Sequence, residues 1–97
     1  MSDVTFEWDP AKDRVNKAKH AVSFDEAKTA FFDDNARVIP DDGHSVGEER
    51  FVLLGMSIAL RVLVVCHCHR SSDDVIRIIS ARRATATERL DYARFLP

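Results

Sequence analysis

The spacing of apolar positions changes once along this chain, from a helical beat before residue 35 to a strand alternation after it. Phe6-Glu7-Trp8 alternates briefly and stops at Asp9-Pro10. Asp caps helices and Pro suits the first helical position, so a helix is predicted over about 10–19, burying Ala11, Val15 and Ala18. Ser23-Phe24-Asp25-Glu26 spells a capping box, with Ser23 at the N-cap and Glu26 reaching back. The helix it opens sets Phe24, Ala27 and Phe31 on one stripe and ends near Asp33-Asp34-Asn35. Short apolar runs follow at 36–39, 51–56, 62–69 and 75–81, separated by turn sequences such as Pro40-Asp41-Asp42-Gly43. Thr85-Ala86-Thr87-Glu88 is a second capping box, opening a last helix with Ala86, Leu90 and Ala93 inward. Strands joined by short connections, with helices at both ends, predict an α+β fold in the order β-α-α-β-β-β-β-α. Its small antiparallel sheet is flanked by the N-terminal and C-terminal helices.

Side chains alternate along a strand, so parity assigns faces. In 62–69, Val62, Val64, Cys66 and Cys68 share one face, and Leu63, Val65, His67 and His69 the other. In 75–81, Ile76, Ile78 and Ser80 oppose Val75, Arg77 and Ile79. If each strand turns its more uniformly apolar face to the helices, His67 and Arg77 emerge together on the open face. The same parity bears on Cys66-His67-Cys68-His69, which has the look of a ligand cluster. Tetrahedral zinc needs about four ligands converging on one point. Here the two pairs point in opposite directions, so no metal site is assigned and the cysteines read as small buried thiols.

Composition narrows the class. With 97 residues the chain has room for one core, read as a single domain over 1–97. Its longest apolar run is far short of the roughly 20 residues that span a bilayer. The first residues lack the basic and apolar segments of a signal peptide, so a cytoplasmic location is expected, with thiols reduced. The net charge of −2 conceals an asymmetry. Residues 1–49 carry six Lys or Arg against twelve Asp or Glu; residues 50–97 carry eight Arg against four. Arginine forks bind phosphate bidentately, which points to nucleic acid, while scattered surface arginine is the plainer alternative.

Phe6-Glu7-Trp8-Asp9-Pro10-Ala11-Lys12, Lys19-His20-Ala21-Val22-Ser23-Phe24, His44-Ser45, Glu49-Arg50, Gly55 and Ile76-Arg77-Ile78-Ile79-Ser80-Ala81-Arg82-Arg83-Ala84-Thr85 stand in this order over nearly the whole chain. Together they resemble the BrnT family of ribonuclease toxins. The resemblance implies a fold similar to the RelE-type toxins. It also implies a toxin that cleaves RNA and stops growth, without metal or other cofactor. A ribbon-helix-helix antitoxin (BrnA-like) would silence it in a hetero-oligomer, and operator DNA would be met only through that partner, with no membrane involved. Within the histidine segment, His67 fits the family pattern; His69 and the cysteines do not.

RNA can be cleaved without metal when its own 2′-hydroxyl attacks the adjacent phosphorus. That needs proton transfer, for which histidine is suited, and fixed positive charge on the phosphorane. The expected endoribonuclease site is therefore His67 as acid or base, with Arg77 and Arg50 on the phosphate. Lys19, His20 and Arg82 would position the backbone, and Trp8 either stacks on a base or belongs to the core. The competing expectation is a non-enzymatic interaction module or co-repressor acting only through its partner.

Overall fold

The computed structural model describes residues 4–41, 49–70 and 74–97. In these, the strands are β1 (Thr5–Glu7), β2 (Arg37–Pro40), β3 (Arg50–Met56), β4 (Val62–Arg70) and β5 (Val75–Arg83). The helices are α1 (Pro10–His20), α2 (Phe24–Thr29, continued by a 3-10 turn over Ala30–Phe32) and α3 (Ala86–Arg94). Their order is the expected one. His44-Ser45, quoted above for the resemblance, lies outside the described residues.

Local chemistry accounts for the helix ends. The Asp9 carboxylate accepts from the Ala11 N–H at 2.9 Å, with Pro10 opening the helix, and α1 closes where Ala21 turns left-handed at φ 58°. Ser23 accepts from the Glu26 N–H at 3.0 Å. At α3 both halves of the capping box form: Thr85 accepts from Glu88 N–H, and Glu88 accepts from Thr85 N–H at 2.8 Å. The first box is only half made. Glu26 instead accepts from the Ser57 hydroxyl at 2.7 Å and from the Arg61 guanidinium, tying the β3–β4 turn to α2.

The sheet runs β1-β5-β4-β3-β2. β2 through β5 are antiparallel, but β1 lies parallel to β5, from Thr5↔Val75 to Glu7↔Arg77. The sheet is thus mixed where a wholly antiparallel one was expected. Parallel pairing requires a long connection rather than a hairpin, and here residues 8–74 lie between the two strands. One face carries the core: Val22, Phe24, Ala27 and Ala30 pack on Leu53, Leu63, Val65, Ile78 and Ala81. Gly55 lets the 3-10 turn approach this closely, since a Cβ there would sit 2.9 Å from the Ala30 carbonyl oxygen.

Two helices present other faces than their spacing implied. Ala11, Val15 and Ala18 are exposed, and the buried residue of α1 is Asn16. Its amide donates to the carbonyls of Ala81 (2.7 Å) and Val22 (2.9 Å) and accepts from the Ala81 N–H (3.1 Å). Beyond Arg77, β5 has lost its partner β1, and Asn16 stands in for a neighbouring strand at Ala81. In α3, Ala86, Leu90 and Ala93 are exposed while Tyr92 is buried, its hydroxyl donating to Asp33. Asp33 also accepts the Met56 N–H at 2.8 Å, so one carboxylate holds α3 to the end of β3. A polar contact, invisible to apolar spacing, sets the orientation of each helix.

β4 and β5 are out of step at one point. Cys66 pairs with Ser80 and His67 with Ile78, leaving Ile79 as an extra residue in β5. Such a bulge bends the strand and re-aims its side chains. No helix among the described residues is long and apolar enough to cross a membrane.

Candidate functional site

Pairing register places each candidate residue on a face. Leu63, Val65 and His67 of β4 turn to the core side, where His67 was expected to face out; Cys66 is half-buried on the other side, and Cys68, on that side too, is buried as expected. His67 is 2 % exposed, its ring edge-on to Phe31 at 4.8 Å and stacked on Phe51 at 6.0 Å. Its Nδ1 stands 3.2 Å from the Val65 carbonyl, which can only accept, so Nδ1 carries the proton. Burial pushes the imidazole towards its neutral form, against the Val65 bond and with help from the neighbouring His69. The inversion has a plain cause. The inner face of β4 is dictated by Leu53 on one side and Ile78 on the other, and aromatic neighbours accept an uncharged imidazole.

The open face carries the arginines. Arg50, Cys68 and Arg77 stand side by side across β3, β4 and β5, and Glu7 of β1 continues the row. Arg77 donates to Glu7 at 2.7 Å. Two positions along comes Val52–Cys66–Ser80, then Leu54–Val64–Arg82. The rows of Arg50 and Arg82 are therefore about 13 Å apart along β4. Between them lies a groove of about 340 Å³ whose polar lining is His20, Asp41, Arg50, Ser80 and Arg82, with Cys66 on its floor. His20 reaches it as the last residue of α1, and the bulge at Ile79 presents Ile79 and Ser80 to the same space.

The groove's charges are held by their neighbours. Arg82 forms a bidentate pair with Glu88, at 2.8 and 3.0 Å, which fixes the plane of its fork. That pairing holds the Glu88 carboxyl down at about 2. Burial pushes the Cys66 thiol up, Arg50 opposing and Asp41 assisting, so at neutral pH it is a thiol rather than a nucleophilic thiolate. Among the described residues, no three of His, Cys, Asp or Glu gather as a metal site.

Of the residues singled out from the sequence, the structure brings together His20, Arg50 and Arg82, with Arg77 in the row of Arg50. Lys19 lines a second groove of about 330 Å³ between α1 and β5, whose lining also includes His20, Ile79 and Ser80. His67 lies on the opposite face of the sheet. Trp8 packs edge-on to Phe24, 6.0 Å away, and belongs to the core. Sequence reading missed Asp41, Cys66 and Ser80 as groove residues. Asp41 read as part of a turn, and Ser80 turns outward only because of the bulge; no local signal marks either.

A sequence model of the family described as "Ribonuclease toxin, BrnT, of type II toxin-antitoxin system" matches residues 8–88. The fold is similar to that of the Brucella abortus ribonuclease toxin BrnT, solved at 1.1 Å. The TM-score is 0.64 and the identity 23%, over 84% of this chain and 97% of that one. No curated protein matches the chain.

Proposed function

We propose, for a chain that belongs to the BrnT family of ribonuclease toxins of type II toxin–antitoxin systems, that RNA is cut in the groove between His20, Arg50 and Arg82. The observation that carries this is the meeting of one imidazole and two guanidinium groups in a single open groove. An imidazole can take the proton of a 2′-hydroxyl near neutral pH. The bond from the 2′-oxygen to phosphorus then forms and the bond to the 5′-oxygen breaks, leaving a 2′,3′-cyclic phosphate. The proton passes through the imidazole, or through water, to the departing 5′-oxygen. Arg50 and Arg82 stabilise the charge of the phosphorane, and Arg77 holds the neighbouring backbone. No step calls for a metal ion, so cleavage should persist in EDTA. His67 supports the sheet from its other side. The same reading gives the chain a cytoplasmic place of action and a ribbon-helix-helix antitoxin, through which alone it meets operator DNA.

RNA cleavage by purified variants tests the assignment. His20→Ala and Arg82→Ala should each lower the rate by about 10²–10³-fold while circular dichroism stays unchanged. His67→Leu, if folded, should keep it. Parental rates in His20→Ala and Arg82→Ala would remove the groove as the site. Binding of RNA without any cleavage by the parent chain would favour the non-enzymatic module. The open-face arginines Arg77 and Arg82 are paired with the carboxylates of Glu7 and Glu88, which favours that second reading.

A further inference from the structure

We propose that the groove between α1 and β5 receives an acidic, amphipathic helix of the antitoxin, an inference that rests on the toxin–antitoxin reading above. This groove has an apolar floor of Ala11, Val15 and Ile79, with Lys12 and Lys19 also in its lining. Val15 is 65 % exposed, so an aliphatic side chain sits in mid-helix without the core contact its spacing implied. Lys12 and Lys19 are two turns apart, about 10 Å. α1 as a whole carries Lys12, Arg14, Lys17 and Lys19 against Asp13, a charge of +3 in a chain of −2. An apolar floor flanked by lysines complements a helix with aliphatic residues on one stripe and carboxylates beside it.

RNA is the rival occupant, and the lining argues against it. Single-stranded bases are held by stacking on aromatic rings or guanidinium planes. The lining of this groove offers no guanidinium plane, and its one ring is the His20 imidazole at the edge shared with the other groove, too little to hold a run of bases. That shared edge of His20, Ile79 and Ser80 gives the proposal its consequence. A helix lying on Val15 covers the approach to His20. The antitoxin then silences the toxin by occlusion, with no change of fold.

The test uses the chain together with the antitoxin of its operon, titrated by calorimetry and by inhibition of RNA cleavage. Val15→Glu puts a carboxylate on the floor at an exposed helical position, where folding is spared. Affinity for the antitoxin should fall about 30-fold or more, while cleavage by the variant alone stays at the parental rate. Lys12→Glu should slow association and flatten its salt dependence. Ile39→Glu, on the exposed edge strand β2, should change neither. Parental affinity in both Val15→Glu and Lys12→Glu overturns the proposal. So does loss of the antitoxin from Ile39→Glu alone, which would put the dock on the β2 edge. Reduced cleavage by Val15→Glu with undiminished antitoxin binding would hand the groove to RNA. Full cleavage by the intact complex would end the occlusion claim. Because affinity is read without reference to cleavage, the dock and the RNA site can fail separately.

Discussion

His67 packs among Phe31, Phe51 and Val65 because a neutral imidazole behaves as a small aromatic ring once its Nδ1–H has a carbonyl to reach. The consequence is a pH dependence of stability. Burial sets its folded value below the ordinary 6.5, so as the pH falls the unfolded chain takes up the proton first. The stability due to this group is complete above 6.5 and is lost progressively below it, as the pH drops towards the folded value. Urea denaturation at about pH 7.5 and about pH 5.5 should show a decline that is reduced in His67→Leu. Equal declines in the two proteins would mean that His67 is not the titrating group. Nothing in Leu63-Val64-Val65-Cys66-His67 announces this, since a strand's inward face is chosen by its neighbours in the sheet.

What the sequence disclosed at the level of elements was what depends on near neighbours. Both N-terminal serine and threonine caps form, the strands begin and end within about two residues of their apolar runs, and the Phe24–Ala27–Phe31 stripe packs as spaced. What stayed hidden depends on partners 65 to 70 positions away: the parallel β1–β5 pairing and the polar docking of α1. The candidate site divides the same way. Arg50, Arg77 and Arg82 could be chosen from residue type, but which histidine joins them is decided by the sheet's register. Asn16 is the sharpest case, a polar residue in a helix read for its aliphatic stripe. Asn16→Leu would leave the Ala81 N–H and carbonyl buried without partners, at a cost of about 3 kcal/mol. Thermal unfolding should shift down by on the order of 15 °C. A shift of only one or two degrees would show that water or another group replaces the amide.

Across the whole molecule, the acidic first half and the arginine-rich second half answer each other. Glu7 meets Arg77, and Glu26 meets Arg61; Glu88 and Arg82 pair within the second half. Glu88, held at about 2 against an ordinary 4.5, contributes stability that is present above 4.5 and lost as the pH falls from 4.5 towards 2. The pair is partly exposed, so its share is about 1 kcal/mol or less. Acid unfolding of Glu88→Gln should accordingly be shallower over that window, and an unchanged profile would show the pair to be energetically silent. The net −2 of the chain leaves RNA affinity to a few local charges. With three arginines on phosphates, raising salt from about 50 to about 200 mM should weaken RNA binding about 20-fold. A salt-independent affinity would place the contact elsewhere.

Arg77 and Arg82 are separated by five positions. In an unbroken pleat an odd separation sends two side chains to opposite sides of the sheet. They share one side here because Ile79 is an extra count in β5. The arginine surface therefore has something like a reading frame, kept by a single inserted residue. Deleting the one codon for Ile79 would leave the two arginines four positions apart, an even count, so a regular pleat would still carry both on the open face while the strand lost its bend.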